Sequence, residues 1–153
     1  MKPSERIKEL GLILPPAPPP AGLYKPVLVV DHFLYISGQS PMQNNGTLMV
    51  GRAGHDMTME EAKFAARQVA LTMLSTIQTH FGDIDKIKRI VKTFGMVNST
   101  PDFGQQPLVI NGFSELMADI FGPDHGVGVR SAVGMILPDG IPVEIEAHFE
   151  LHH

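Results

Sequence analysis

Three charged side chains near the C-terminal end carry the clearest chemical potential in the sequence. Arg130 stands alone in the otherwise apolar segment 127–134, and Glu144 and Glu146 alternate with apolar residues in the segment 143–149. A guanidinium fork can donate two parallel hydrogen bonds to a carboxylate ligand. A carboxylate whose pKa is raised by burial or by a neighbouring acid can serve as a general acid or base. Together they suggest a site that binds an anion and transfers protons.

Spacing alone leaves a structural role open for each of these residues. Arg130 could instead form an ion pair with a carboxylate such as Glu144 on an adjacent strand, because burying an unpaired guanidinium is costly. Glu144 and Glu146 could be solvated glutamates on an edge strand. For an arbitrary sequence these structural roles are the commoner outcome, so the pattern needs support from elsewhere.

Composition limits the other possibilities. The chain has 153 residues, of which 43% are hydrophobic and 18% charged, as expected for one globular domain with a core. It contains no cysteine, which excludes disulfides and thiol nucleophiles, and its net charge of −4 gives no general attraction to nucleic acid or membranes. No apolar run reaches the roughly 18 residues of a membrane span, and no signal peptide is evident, so we expect a cytoplasmic protein.

Other motifs for chemistry are weak. The basic run 86–92 lacks the interleaved aromatic residues of an RNA-binding surface, and segment 51–54 is too short for a phosphate loop. The terminal pair His152-His153 could be native or the remnant of a purification tag, and it is set aside. The remaining histidines lack the compact spacing of metal ligands, so no metal site is predicted; they include His32, His55, His80, His125 and His148.

The first 20 residues form a predicted extension ahead of a main domain over residues 21–153. Ser4–Leu10 has the pattern of a short amphipathic helix, with Ser4 as its cap and Gly11 just past its end. Pro15–Pro20 (PPAPPP) favours an extended polyproline conformation and is interpreted as a stiff connector.

The main domain begins with predicted strands. Val27–Val30 and Phe33–Ser37 are β-branched or aromatic runs separated by two residues, which indicates a hairpin. Asn44–Gly46 is a turn sequence, and it predicts a third short strand over Thr47–Val50.

Two helices are predicted downstream. Thr58 and Glu61 have the spacing of a capping box, and an apolar stripe of period three to four follows until Gly82. Asp102 is the predicted cap of a second helix that reaches Phe121.

The remaining strands complete an α+β fold. They are predicted within Ile84–Val97, Val129–Leu137 and Ile141–Phe149, with a turn at Pro138–Gly140. The order is βββαβαββ, with both helices on one face of a single sheet. The opposite face then needs cover, so self-association is expected.

Several segments with matching order and spacing resemble the YjgF, or reactive intermediate deaminase (RidA), family. Arg130–Val133, Leu137–Asp139 and Val143–Ala147 are similar to the family's C-terminal signature, usually written RSxV, LP and (V/I)EIEA. Further segments resemble its loop tyrosine, its SGQxP strand end and its VN helix start: Ala21–Tyr24, Tyr35–Pro41 and Val109–Gly112.

This resemblance implies a chorismate mutase-like fold assembled as a barrel-like homotrimer with three clefts between subunits. Deaminating members hydrolyse an enamine or imine derived from an amino acid, such as 2-aminoacrylate, to a 2-keto acid and ammonia. They use no metal or organic cofactor. The resemblance therefore implies a small-molecule carboxylate or imine as the ligand.

The resemblance also implies roles for individual residues. Arg130 would hold the substrate carboxylate and Glu144 would orient or activate the attacking water. Tyr24 would close the cleft from the neighbouring subunit, and Gly38 and Asn111 would shape its wall. Ser131 and Ala132, which follow Arg130 in the signature, would complete the substrate-binding set.

Some positions depart from the family pattern and indicate a divergent branch. Ala132 replaces a cysteine, Leu23 replaces the proline before the loop tyrosine, and segment 126–129 is rich in glycine. A non-catalytic trimer that binds small carboxylates therefore stays open as an alternative. Ribonuclease or translation-inhibitor activity, after the names endoribonuclease L-PSP and translation initiation inhibitor given to relatives, is disfavoured by the acidic charge balance.

Overall fold

One five-stranded sheet organises the chain in the computed structural model, which describes residues 1–153. The strands are β1 (Val27–Val30), β2 (Phe33–Gln39), β3 (Ile87–Asn98), β4 (Val129–Met135) and β5 (Val143–Leu151). The helices are α1 (Pro3–Glu9), α2 (Met59–His80) and α3 (Gln106–Phe121). The sheet order is β1-β2-β5-β3-β4, with β3 and β4 parallel and the other pairs antiparallel. The predicted α+β class and single sheet are confirmed.

Helices α2 and α3 pack on one face of the sheet and form the core with it. Thr58 caps α2 as predicted: its hydroxyl accepts from the Glu61 amide at 3.2 Å, and the Glu61 carboxylate accepts from the Thr58 amide at 3.1 Å. The apolar stripe of α2 and alternate residues of β5 are fully buried against each other, as amphipathic periodicity requires. None of the helices is long and apolar enough to cross a membrane.

The last two strands do not form the hairpin that the turn at Pro138–Gly140 suggested. β5 lies between β2 and β3, whereas β4 lies on the far side of β3. The connection passes over the end of β3, where the Asn98 amide donates to the Pro142 carbonyl at 2.8 Å and the Asn98 side chain donates to the Ile141 carbonyl at 3.2 Å. A single turn of 3-10 helix with Asp139 at φ 58° makes this crossing compact.

The predicted third strand, Thr47–Val50, is reduced to one isolated bridge between Met42 and Leu48. Both edges of β2 are occupied by β1 and β5, so this segment cannot pair with β2 as a third strand of a meander. The Asn44–Gly46 turn does form, with Gly46 at φ 83°. Two side chains of α2 instead fix Met42, the partner in this bridge. The Gln68 side chain donates to the Met42 carbonyl at 2.6 Å, and the Thr72 hydroxyl accepts from the Met42 amide at 3.1 Å.

Two predicted helix caps are wrong. Helix α1 starts one residue earlier than expected, and Ser4 donates both its amide and its hydroxyl to Asp85 at 2.8 and 2.5 Å. Asp102 lies in a turn ahead of α3, whose N-cap is Gln105. Pro107 fits in the first turn of α3 because an amide at that position would have no acceptor within the helix.

The extension crosses the helices before it reaches the sheet. Arg6 of α1 donates from Nε to the Asp119 carbonyl of α3 at 2.8 Å. Pro15 is buried, and its carbonyl accepts from the hydroxyl of Ser75 on α2 at 2.6 Å. The proline tract therefore runs along a defined path.

Close packing of α2 against α3 generates a stability prediction at Gly112. A Cβ there would collide with the Lys63 carbonyl oxygen on α2. We expect Gly112→Ala to lower the free energy of unfolding by about 1–3 kcal/mol, because the overpacking outweighs the gain in helix propensity. Gly104→Ala is the matched control, since no atom lies within 4 Å of its added methyl. Urea denaturation of both variants measures the difference, and equal stability would contradict the packing argument.

Candidate functional site

Glu144 projects into a cleft of about 560 Å³ on the sheet face opposite the helices. We call this the glutamate cleft, and three acidic residues line it: Asp139, Glu144 and Glu146. Tyr24 and Gly38 lie in the same cleft of the same chain. The remaining lining is largely apolar and proline-rich, with Pro18, Pro19, Pro20, Pro26, Met42, Leu48, Pro138 and Ile141.

A bulge in β2 makes room for the Glu144 carboxylate. The pairing of β2 with β5 shifts register between Ile36 and Gln39, and Gly38 lies in this irregular segment. A Cβ at Gly38 would collide with the carboxylate of Glu144. Buried Gln39 fixes the bulge, because its side-chain oxygen accepts from Thr76 of α2 at 2.7 Å and its nitrogen donates to the Ser37 carbonyl at 2.9 Å. The core helix thus determines where the carboxylate lies.

The environment of Glu144 favours its protonated form. Burial raises the pKa of Glu144 above its ordinary value, and the nearby Glu146 carboxylate raises it further. The sequence predicted both causes, since the two residues share one face of β5. A carboxyl group shifted in this direction titrates nearer to neutrality, which suits proton transfer.

Arg130 lies in a second cleft, of about 230 Å³, between β4 and α3. We call this the arginine cleft; Asn111 and Ser114 of α3 and Thr93 of β3 also line it. Arg130 donates from Nη1 to the Ser114 hydroxyl and from Nη2 to the Pro107 carbonyl, each at 3.0 Å. These two bonds orient the guanidinium and leave its other N–H groups without a partner in the chain.

Arg130 and Glu144 lie far apart and on opposite faces of the sheet. Arg130 is in register with Thr93 of β3, and Glu144 is in register with Met96 of the same strand. The two residues are thus two strands and three positions apart, a backbone separation of about 14 Å. The ion pair on adjacent strands is excluded, because β3 separates them and their side chains project to different sides.

The other predicted site residues divide between the two clefts or lie outside both. Asn111 is with Arg130, whereas Tyr24 and Gly38 are with Glu144. Ser131 is in register with Phe94 and so lies on the face opposite Arg130. Ala132 is in register with Gly95 and packs against the core. Neither of these last two lines the arginine cleft.

Three features of the clefts were not predicted. Ser114 is one helical turn from Asn111, and this i, i+3 spacing on α3 would have indicated a shared face. No residue type or spacing in the sequence indicated that the Pro107 carbonyl would accept a hydrogen bond from Arg130. The proline tract was interpreted as a connector, yet it lines the glutamate cleft.

The glycine-rich approach to Arg130 has a steric explanation. A Cβ at Gly128 would collide with the Val91 carbonyl of β3, and one at Gly126 with the backbone at the end of α3. The two glycines let the chain lie flat between these elements before β4 begins. As for metals, no group of three histidine, aspartate or glutamate side chains is arranged to hold an ion.

Known proteins share this fold and much of the sequence. A family model described as "YjgF/chorismate_mutase-like, putative endoribonuclease" matches residues 4–138, which include the proline tract and all of α1 except its first residue. Protein TCP17 of Trypanosoma cruzi is 40% identical over 148 residues, covering 96% of this chain and 92% of that protein.

Solved structures agree over almost the whole chain. Atu1372 from Agrobacterium tumefaciens, a protein with unknown function, is 39% identical with a TM-score of 0.88, covering 98% of this chain and 92% of that one. A "putative endoribonuclease" from Shewanella oneidensis is 28% identical with a TM-score of 0.92, covering 99% and 100%. RidA from an Antarctic Psychrobacter, at 23% identity, a TM-score of 0.60 and coverage of 88% and 94%, shares the fold alone.

The environment of Glu144 generates a titration prediction. We expect Glu146→Gln to lower the pKa of Glu144 while leaving it above its ordinary value, because burial, the larger cause, persists. Carbon-13 NMR of the Glu144 carboxyl group across a pH series measures this. Glu60→Gln on the exposed start of α2 is the control, and an unchanged Glu144 titration in Glu146→Gln would contradict the prediction.

The same shift predicts how stability depends on pH. The folded chain holds the Glu144 proton more tightly than the unfolded chain, so this contribution to stability is complete below the unfolded pKa near 4.5 and is lost as pH rises through the folded pKa. Glu144→Gln has no carboxyl group to ionise at this position, so it does not lose this stability as pH rises. We expect its unfolding free energy to rise relative to that of the parent chain between pH 4.5 and neutrality; parallel denaturation profiles would contradict this.

Proposed function

The chain belongs to the YjgF/chorismate mutase-like family, and we propose that it is a cofactor-independent hydrolytic deaminase that converts imines or enamines of amino acids to 2-keto acids and ammonia. The observation that carries the proposal is the division of Arg130 and Glu144 between two clefts of opposite charge. Each cleft holds half of the groups that this hydrolysis needs. A complete site requires a second copy of the chain.

Charge complementarity supports a head-to-tail arrangement of copies. The charged residues of the glutamate cleft are all acidic, and the one charged residue of the arginine cleft is Arg130. Contact between different surfaces of identical chains is heterologous, and it closes into a ring when the rotation allows. We propose a homotrimer in which Arg130 of one copy faces Glu144 of the next.

The exposed face of the sheet supports the same assembly. Apolar side chains of β1 and β2 on the side away from the helices are well exposed in the single chain, and they are Leu28, Val30, Phe33 and Tyr35. A patch of this kind is unusual on a monomer and marks an interaction surface. Copies packed around a common axis would cover it while bringing the two clefts together.

The chemistry assigns one task to each cleft. The guanidinium of Arg130, held by Ser114 and Pro107, binds the substrate carboxylate, and Glu144 accepts a proton from water as its oxygen attacks the C=N carbon. The nitrogen of the tetrahedral adduct gains that proton and leaves as ammonia, while the hydroxyl proton of the adduct passes to Glu144 as the keto oxygen forms and then to the ammonia. The balance is iminium carboxylate plus water giving 2-keto acid plus ammonium, with no oxidant or reductant.

The burial of Glu144 supports its role as the proton carrier. A carboxylate with an ordinary pKa would be a weak base at neutral pH, whereas the raised pKa of Glu144 makes it a better acceptor and a ready donor to the leaving nitrogen. Burial would deepen further with a neighbouring copy over the cleft.

Ribonuclease activity, the name carried by the Shewanella relative, has less support in this chain. The glutamate cleft is acidic and would repel a phosphate backbone. Binding of small carboxylates without turnover is the nearer alternative, because the arginine cleft alone would suffice for it.

The proposal predicts complementation between two inactive variants. Arg130→Ala and Glu144→Gln should each lower kcat/KM by about 100-fold, measured as keto-acid release from 2-aminoacrylate made in situ by a dehydratase. After the two variants are unfolded together and refolded as mixed oligomers, about a quarter of the sites would combine an intact Arg130 with an intact Glu144. We therefore expect about a quarter of the parent rate.

The controls separate the assembled site from a general loss of structure. Arg67→Ala and Glu60→Gln change the same residue types on α2 and should keep the parent rate. A mixture as inactive as its components would show that no shared site forms. Saturable binding of pyruvate by the parent chain with no turnover would replace the deaminase with the carboxylate binder.

A further inference from the structure

The proline tract forms one wall of the glutamate cleft and is anchored to α2 at its start. The Pro15 carbonyl accepts from the buried Ser75 hydroxyl at 2.6 Å, and the Ala21 amide donates to the Tyr24 hydroxyl at 3.0 Å. Between these two points Pro18, Pro19 and Pro20 face the cleft. The first bond anchors the start of this wall to α2, and the second closes a turn within the loop that follows it.

The cleft is larger than a small substrate requires. Its volume is about 560 Å³. A three-carbon enamine carboxylate has about six non-hydrogen atoms and, at about 30 Å³ each, fills at most about 180 Å³. The remaining space lies among proline rings and the side chains of Met42, Leu48 and Ile141, whereas the charged groups are acidic. That part of the cleft suits an uncharged apolar substituent and disfavours an acidic one.

On the basis of the proposed function, we infer that the preferred substrates are 2-imino acids with an aromatic side chain, whose ring lies against Pro18–Pro20. Proline-rich segments present flat apolar ring surfaces and no backbone N–H donors, and they pair with aromatic planes in protein recognition. The Tyr24 ring lies in the same cleft and offers a second apolar surface. The proline tract thereby determines specificity, while Arg130 and Glu144 serve every substrate alike.

The reaction for such a substrate follows the same balance. The iminium form of 2-imino-3-phenylpropanoate takes up water at its C=N carbon, loses the nitrogen as ammonium and becomes phenylpyruvate. The aromatic ring changes no bond, so its contacts act on binding and positioning. Their effect is expected in the ratio of kcat/KM between large and small substrates.

A double variant of exposed prolines tests the inference with little risk to folding. Pro19→Ser/Pro20→Ser alters the wall, and Pro16→Ser is the matched control, because Pro16 is an exposed proline of the same tract outside the cleft. An amino acid oxidase supplies the imines of phenylalanine and alanine, with catalase present. Suppression of semicarbazone formation measures their hydrolysis. The parent chain should favour the phenylalanine imine, and the double variant should lose about tenfold in the ratio of the two kcat/KM values.

The outcomes separate the inference from the proposed function. A ratio unchanged in the double variant, or a parent chain that favours the alanine imine, overturns the aromatic wall while leaving the deaminase intact. Hydrolysis of neither imine overturns the deaminase instead. Calorimetry with phenylpyruvate and pyruvate then tests whether the proline wall binds an aromatic ring. Tighter binding of phenylpyruvate that is lost in Pro19→Ser/Pro20→Ser supports the inference, and equal affinities overturn it.

Discussion

Side chains of a β-strand alternate between the two faces of its sheet, and this constraint places Arg130 and Glu144 on opposite faces. Arg130 is in register with Thr93 and points toward α3, whereas Glu144 is in register with Met96 and points away from the helices. No rotamer change can bring the two together, because β3 lies between them. A reaction that needs both charges must therefore use two copies of the chain. Under the proposed function, oligomerisation would therefore complete the active site as well as cover apolar surface.

Within each cleft the reactive group is placed by core packing. Thr76 of α2 binds Gln39, which fixes the bulge at Gly38 and leaves space for the Glu144 carboxylate. On the other side, Ser114 of α3 binds Arg130. Both contacts begin on helices that pack on the same core, so each charge is preorganised within its own copy. Preorganisation of this kind lowers the reorganisation needed when a substrate binds.

Local features of the fold were predictable from the sequence, and long-range ones were not. The capping box at Thr58 and the apolar stripe after it involve residues within a few turns of each other, so periodicity sufficed for α2. Residue type and spacing singled out Arg130 and Glu144, and the family resemblance added Asn111. The separation of Arg130 from Glu144 could not be predicted, because it depends on the position of β5 beside β3 in the sheet. The turn at Pro138–Gly140 has the composition of a hairpin turn, and the hydrogen bonds of Asn98 that divert the chain come from about 40 residues away.

The proline tract shows why an extended segment suits the wall of such a cleft. A loop of glycine and serine would lose conformational freedom whenever a ligand packed against it, and the binding energy would fall by that amount. Prolines have their φ angles fixed before folding, and the hydrogen bond from Ser75 anchors the start of the tract to α2. They also leave few backbone donors to satisfy in a region that no sheet edge covers. The same residues that let the extension cross the helices without secondary structure therefore supply a rigid apolar surface beside Glu144.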